Sequence, residues 1–208
     1  MATVVERYQR SNHEVCTVNL AGTHIAVTVT RSAAVAKRWI SSTLHFSRQY
    51  VYHNALIAGL GVQWNPNRRD PPPPHTLQLC VGRRCLIFQL AHAGDVPDSL
   101  RAFLNNPSHT FVGFWNNSDR QRLQDSQHHL LMRRDPVDLR LCFQGLNQAS
   151  VEEIVAACLG YRVSQRNDIS RSEWNDLDLS DDQVAYATVD AHCAFLIGRN
   201  LSAWRYNR

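Results

Sequence analysis

A tyrosine and an aspartate four residues apart form the clearest chemical pair in this chain. Tyr186 and Asp190 follow Ser180, and Gln183 stands three residues after that serine, a spacing typical of a capped helix start. Residues i and i+4 share one face of a helix, so both side chains can point into one site. Carboxylate oxygens are ligands that Mg²⁺ and Mn²⁺ prefer. The pair therefore predicts a polar site beside this helix.

A second patch, residues 57–64, lies roughly 120 residues earlier in the chain. It is so apolar that we expect a strand with both faces covered, as in the centre of an α/β sheet. Alternate strand residues point to the same face, so Gly61 and Gln63 share one. Asp119, near the start of another predicted helix, is the third candidate for the same chemistry.

The order and spacing of these patches resemble a DnaQ-like (DEDDy) 3′–5′ exonuclease domain, specifically the plant Werner-syndrome-like type of the ribonuclease H-like superfamily. The resemblance covers about residues 50–201 and rests on Gly59–Trp64, Leu77–Gly82, Leu100–Leu104 with Pro107, Thr110–Gly113, Asp119 with Leu123, Val137–Arg140, and Ser172 and Trp174 ahead of the Tyr186/Asp190 helix. It implies four carboxylates and a tyrosine around two divalent cations, which clamp the phosphate and activate the attacking water.

The chain departs from that pattern at its first motif. Gly61 and Gln63 occupy the positions of the family's aspartate and glutamate, whereas Asp119, Tyr186 and Asp190 match the retained positions. In such enzymes the tyrosine orients the water and the aspartates hold metal. Glycine offers no ligand and a neutral amide is a poor one. We therefore expect a pseudoenzyme with lost or strongly reduced nuclease activity and no tightly bound metal pair; one weakly held Mg²⁺ or Mn²⁺ at Asp119 and Asp190 stays open.

Each retained residue also has a purely structural interpretation. Asp119 near a helix N-terminus is favoured by the helix dipole without any metal. Tyr186 on an amphipathic helix could be a core residue, and Gln63 could be a hydrogen-bonded polar residue at a strand end. The combination, in the order of the exonuclease motifs, favours vestigial catalytic residues.

Candidate nucleic-acid contacts flank the first motif. Arg68 and Arg69 follow it directly and could hold phosphates. Trp64 and Trp115 end predicted strands near the same rim and could stack a base. A solvated charged loop and ordinary aromatic packing are the alternatives. We expect DNA or RNA as a partner, without a preference between them.

Composition allows a globular protein of one domain, residues 1–208. Of the 208 residues 44% are hydrophobic and 19% charged, and the formal net charge of +4 permits a polyanionic partner without requiring one. No apolar run is long enough to span a bilayer and no signal peptide is evident, so we expect an intracellular protein, nuclear or cytoplasmic, without membrane contact. The six cysteines form no CxxC pair and predict buried free thiols.

The alternation of apolar residues predicts an α/β, ribonuclease H-like fold: a mixed five- to six-stranded sheet with helices on both faces. An N-terminal β-hairpin, residues 13–30, extends the sheet, and residues 1–48 hold this hairpin and a helix that starts at Ser32. Further strands are predicted over 55–64, 76–81, 85–90 and 109–115. Further helices are predicted over 97–105, 118–127, 136–143, 150–161 and 180–204.

Two other functions remain open at this stage. The chain could be an active, metal-dependent 3′–5′ exonuclease that works with a reduced site. It could instead be a non-catalytic interaction module that self-assembles into a homo-oligomer, because the predicted strand 23–30 could lie at a sheet edge and pair with another copy.

Overall fold

An eight-stranded mixed sheet forms the centre of the protein in a computed structural model that describes residues 1–65 and 72–207. The strand order is β1-β2-β3-β6-β5-β4-β7-β8. β3 pairs parallel with β6, and β4 pairs parallel with β7, while β4, β5 and β6 form an antiparallel ladder. The strands are β1 (Thr3–Gln9), β2 (Glu14–Leu20), β3 (Thr23–Thr30), β4 (Leu56–Gln63), β5 (Thr76–Val81), β6 (Arg84–Phe88), β7 (His109–Gly113) and β8 (Val137–Asp138).

The longest helix, α7, packs across the central strands β4 and β5. The helices are α1 (Ala33–Phe46), α2 (Arg48–Tyr52), α3 (Asp98–Leu104), α4 (Asp119–Asp125), α5 (Val151–Leu159), α6 (Asn167–Ser170) and α7 (Asp181–Asn200). Short 3₁₀ turns cover Leu90–His92, Leu139–Cys142 and Ala203–Asn207. Within the described ranges, none of the helices is long and apolar enough to cross a membrane.

A glycine allows α7 to approach the sheet closely. A Cβ atom added at Gly59 in β4 would lie 1.8 Å from the backbone oxygen of Ala191 in α7. The helix and the strand are therefore in direct backbone contact, which no other residue at position 59 would permit. This contact fixes the height of α7 over β4, and with it the positions of the side chains that both elements carry.

Capping boxes start both α5 and α7, as the sequence predicts. In α7 the Ser180 hydroxyl accepts a hydrogen bond from the Gln183 backbone N–H, and the Gln183 side chain accepts one from the Ser180 N–H. Ser150 and Glu153 make the same pair of bonds in α5. These bonds satisfy donors that a helix start otherwise leaves unpaired.

Loss of the α7 cap should be measurable in solution. We expect Ser180→Ala to lower the free energy of unfolding by about 1 kcal/mol, because the Gln183 N–H loses its acceptor. Urea denaturation of wild type and variant measures the difference. Ser180→Asp, which keeps a capping oxygen, is the matched control, and an equal loss in both variants would contradict this role.

The predicted fold class is confirmed, with a larger sheet than expected. The strand β1 was missed, and it pairs antiparallel with β2 to turn the predicted hairpin into three strands. The helix predicted over 136–143 is wrong, because the chain there forms the two-residue strand β8 beside β7 and then a 3₁₀ turn. Ser118 is the N-cap residue of α4, and its side chain makes no capping hydrogen bond.

The proposed edge position of strand 23–30 is also wrong. β3 lies between β2 and β6 and is hydrogen-bonded on both sides. The outer strands of the described sheet are β1 and β8 instead. Self-association through the edge of β3 is therefore excluded.

Two of the six cysteines depart from the prediction of free thiols. Cys80 and Cys85 are directly opposite each other in the β5–β6 hairpin, with Cα atoms 4.2 Å apart, and they form a disulfide. The tight turn between them produces this register. Cys16, Cys142, Cys158 and Cys193 are free, and Cys16 and Cys193 are buried.

Candidate active site

A cleft of about 150 Å³ lies where the carboxyl end of β4 meets the first half of α7. Its walls come from β4, from the segments after β4 and β7, and from α4, α5 and α7. The cleft is lined by Leu60, Gly61, Val62, Gln63, Trp64, Phe114, Trp115, Asp119, Val151, Tyr186 and Asp190. The candidate residues that lie in the described part of the chain therefore line the same cleft. Arg68 and Arg69 lie outside the described residues.

Asp190 is held by two glutamine amides. Its Oδ2 accepts a hydrogen bond from Gln63 Nε2 at 3.1 Å, and its Oδ1 accepts one from Gln165 Nε2 at 2.5 Å. Gln165 also donates to the backbone oxygen of Tyr186. Burial raises the pKa of Asp190 to about 7, although both amide bonds favour the charged form.

Asp119 is the second carboxyl group of the cleft and is 4% exposed. Burial raises the pKa of Asp119 to about 7, and the negative charges of Asp190 and Asp138 act in the same direction. The Arg122 guanidinium acts in the opposite direction. The cleft therefore holds two carboxyl groups that take up protons more readily than ordinary aspartates do.

Tyr186 stands one helical turn before Asp190 on α7, and both line the cleft. It is half-buried, and its ring lies 5.9 Å from that of the buried Trp174, centroid to centroid. Burial, with a contribution from the Asp190 charge, raises the pKa of the Tyr186 hydroxyl. The hydroxyl therefore stays protonated at neutral pH and can donate a hydrogen bond.

The space beside Gly61 is taken by Gln78, its partner on β5. A Cβ atom added at Gly61 would lie 2.8 Å from Gln78 Oε1. Gln78 is fully buried, and it donates from Nε2 to the Thr76 hydroxyl, but its Oε1 has no hydrogen-bond partner. A neutral amide thus fills the volume where the resemblance places a carboxylate.

Two arginine–aromatic pairs form the rim of the cleft. The guanidinium of Arg122 lies over the Trp64 ring at 4.1 Å, and that of Arg140 over the Trp115 ring at 3.5 Å. Trp115 is 45% exposed and has a positive φ of 51°. Arg140 is anchored in a buried ion pair with Asp138 at 2.6 Å. The exposed part of this second pair is therefore the Trp115 ring, whereas the Arg140 charge is buried and paired with Asp138.

Three contributors were missed from the sequence: Gln165, Asp138 and Arg140. Gln165 lies in the segment between α5 and α6, and no local pattern connects it to Asp190, 25 residues further on. Asp138 and Arg140 belong to a segment that carries the exonuclease resemblance, and their spacing of two residues could have indicated an ion pair.

The donor set of the cleft is poor in anionic ligands. Two glutamine amides point their N–H groups at Asp190, and the partial positive charge of these groups has the same sign as a cation and competes with it for the carboxylate. Among residues 1–65 and 72–207 there is no group of three or more histidine, cysteine, aspartate or glutamate side chains that could hold a metal ion.

Comparison with known proteins shows which family this chain is similar to. The family described as 3′–5′ exonuclease matches residues 75–203, a stretch that includes Asp119, Tyr186 and Asp190 and begins after β4. A curated 3′–5′ exonuclease of Drosophila willistoni is 26% identical over 142 residues, which are 63% of this chain and 39% of the fly protein. The mouse bifunctional 3′–5′ exonuclease/ATP-dependent helicase WRN is 25% identical over 152 residues, 70% of this chain and 11% of the mouse protein.

Solved structures share the fold. Escherichia coli RNase D, an exoribonuclease involved in structured RNA processing, superposes with a TM-score of 0.62 at 18% identity. The match covers 81% of this chain and 43% of RNase D. The chain thus spans well under half the length of each of these relatives.

Proposed function

The chain belongs to the 3′–5′ exonuclease family, and from this premise we propose that it is a nucleic-acid-binding member whose nuclease activity is lost or strongly reduced. The family resemblance of Asp119, Tyr186 and Asp190 supports the cleft as the place where a 3′ end would bind. The cleft lacks the charge that nuclease chemistry requires.

The main support for this proposal is that two glutamine amides hydrogen-bond to Asp190. Gln63 and Gln165 each occupy one carboxylate oxygen of Asp190, on the side where a cation would have to bind. A cation at this place would have to displace both bonds and approach two N–H donors. Together with the missing carboxylate at Gly61, this arrangement opposes a metal pair.

The residues present do not fit the two divalent cations that the family uses. Among the described residues that line the cleft, only Asp119 and Asp190 could supply anionic oxygen, and both have a raised pKa. Two carboxylates neutralise half of the charge of two Mg²⁺ or Mn²⁺ ions, and the phosphate adds its own negative charge beside them. We infer that at most one cation binds here, and that it binds weakly.

Binding of nucleic acid is supported by the rim. The exposed Trp115 ring offers a surface for stacking a base, and the Arg122 guanidinium, which lies against Trp64, supplies a positive charge at the same rim. The Tyr186 hydroxyl, which stays protonated, is a donor suited to phosphate or sugar oxygens, whereas the amide groups of Gln63 and Gln165 are already bonded to Asp190. RNase D, whose fold is similar, acts on RNA.

Fluorescence anisotropy with labelled single-stranded DNA and RNA tests the proposal. We expect the affinity to be the same in EDTA and in Mn²⁺, and we expect the oligonucleotide to stay intact during the measurement. Digestion that depends on Mn²⁺ and disappears in Asp190→Ala would establish an active exonuclease with a reduced site instead. No binding of any oligonucleotide at low salt would favour a protein-interaction module.

Removal of the Trp115 ring should weaken binding. We expect Trp115→Ala to lower oligonucleotide affinity about tenfold, because stacking of one base on an aromatic ring contributes roughly 1–3 kcal/mol. Tyr52→Ala removes another exposed aromatic ring, on α2 and away from the cleft, and is the matched control. Equal affinities of the two variants in anisotropy titrations would place the nucleic acid elsewhere.

A further inference from the structure

A second cavity, of about 300 Å³, lies at the other end of β4 and α7. We call it the arginine pocket. Its walls come from α1, α2, the start of β4, the β5–β6 turn and the end of α7. The residues that matter for its chemistry are Thr43, Phe46, Tyr50, Arg83, Arg84 and Arg199.

The arginine pocket is separate from the cleft. On β4 the nearest lining residues are Ile57 for the pocket and Leu60 for the cleft, three residues apart, which is roughly 10 Å at 3.3 Å per residue. On α7 they are Phe195 for the pocket and Asp190 for the cleft, five residues apart, which is roughly 8 Å along the helix axis. A ligand in one cavity therefore leaves the other accessible.

The charge of the pocket is positive and uncompensated. Arg83, Arg84 and Arg199 line it, and none of the described residues that line it is an aspartate or a glutamate. Within the described part of the chain, none of these three arginines takes part in an ion pair. Each arginine alone could be a surface residue, and Arg199 also suits the last turn of a helix. Three arginines around one concave site favour an anionic ligand, since a guanidinium matches the oxygens of phosphate or carboxylate.

The turn that carries two of these arginines is held from three sides. The Gly82 backbone oxygen lies 3.1 Å from His192 Nδ1, and the Arg83 backbone oxygen accepts a hydrogen bond from the Ala26 N–H at 2.9 Å. Below the turn, Cys80 is bonded to Cys85. A turn fixed in this way presents its charges in one arrangement before a ligand arrives, which reduces the entropy cost of binding.

Aromatic side chains form the opposite wall. Phe46 is 70% exposed and Tyr50 55% exposed, and the Arg84 guanidinium lies 5.2 Å above the Phe46 ring. Thr43 lines the same wall, and its buried hydroxyl has no hydrogen-bond partner. Exposed rings beside unpaired guanidinium groups can take a flat ring and an anion together.

We propose that the arginine pocket binds a small planar aromatic phosphate, of the kind represented by a nucleoside monophosphate. The ring packs against the wall formed by Phe46 and Tyr50, and the phosphate lies against Arg84 and Arg199. The volume is at the lower limit of small-molecule sites, which favours one such unit over a length of polymer. This site does not depend on the function proposed for the cleft.

Isothermal titration calorimetry with adenosine monophosphate tests the proposal. We expect saturable binding that is at least about tenfold tighter than that of adenosine or of inorganic phosphate, because each of these offers only half of the contacts. The double variant R84A/R199A should lose at least about tenfold in affinity. R38A removes an exposed arginine from α1 that does not line the pocket, and it should bind as wild type does.

Two further variants locate the ligand. Y50A changes only an exposed side chain of the pocket, so the protein should still fold and should bind adenosine monophosphate more weakly. This variant tests the pocket even if R84A/R199A does not fold. Trp115→Ala changes the cleft and should leave the affinity unchanged. The proposal is overturned if Trp115→Ala and not the pocket variants removes binding, if inorganic phosphate binds as tightly, or if no heat is detected.

Discussion

The double variant Gly61→Asp/Gln63→Glu should gain Mn²⁺-dependent 3′–5′ exonuclease activity, at least about a hundredfold above the wild-type level. The two substitutions return carboxylates to the tip of β4 and remove one of the amides from Asp190. A metal pair contributes several kcal/mol to transition-state stabilisation, and about 1.4 kcal/mol corresponds to a factor of ten in rate. Shortening of a 5′-labelled oligonucleotide on a denaturing gel measures the gain.

The packing around Gly61 decides how this variant must be built. The Cβ of an introduced aspartate would lie 2.8 Å from Gln78 Oε1, so the Gln78 side chain has to move. Gln78 is buried, but the obstructing atom is the end of a flexible side chain and has no partner to lose. We therefore expect Gly61→Asp/Gln63→Glu/Gln78→Ala to be the more active version.

Matched controls separate charge from shape. Gly61→Asn adds the same bulk without the charge and should remain inactive. Asp190→Ala in the restored background should abolish the gain, which excludes a contaminating nuclease. A thermal shift with Mn²⁺ gives a second readout, because a cation that binds only the folded state raises its stability. If Mn²⁺ stabilises Gly61→Asp/Gln63→Glu but the variant does not cleave the oligonucleotide, then the absence of these two carboxylates alone does not explain the expected lack of nuclease activity.

The sequence predicts the elements whose signals are local. The apolar run 55–64 and the two capping boxes identify β4, α5 and α7, and these elements carry most of the cleft. The spacing of Tyr186 and Asp190 places both on one helix face, and in the structure both line the cleft. Spacing alone does not indicate a role for Gly61 and Gln63. Only the resemblance to the family suggests that these two residues take the positions of the aspartate and the glutamate of its first motif.

Elements that depend on distant partners were harder to predict. β1 is mostly polar and exposed, and its place in the sheet comes from pairing with β2. The segment after Pro136 has helical residues, but pairing with β7 makes it a strand. Gln165 bonds to Asp190 across 25 residues of chain, and nothing in its neighbourhood indicates this contact. The hydrogen bonds from the two glutamine amides to Asp190 therefore become evident only from the structure.

The buried carboxyl groups of the cleft give the protein an unusual dependence on pH. Burial raises the pKa of both Asp119 and Asp190 to about 7, with mutual repulsion adding to the effect on Asp119. In the unfolded chain these groups lose their protons near pH 4. Between about pH 4 and 7 the folded protein holds more protons than the unfolded chain, so the free energy of unfolding falls as pH rises. Above pH 7 the loss is complete.

Asp119→Asn should stabilise the protein at alkaline pH, where the wild type carries a buried charge. One pKa unit of difference between the folded and unfolded states corresponds to about 1.4 kcal/mol, so we expect a gain of roughly 2–4 kcal/mol at pH 8.5 in EDTA and almost none at pH 4. Urea denaturation at several pH values measures it. Asp178→Asn, which changes an exposed aspartate, should not alter the profile. A stabilised Asp119→Asn would show that the site is under electrostatic strain without a cation. Equal stability of wild type and variant at pH 8.5 would instead mean that the charge of Asp119 is compensated, and the cleft would then be better suited to a metal ion than its amides indicate.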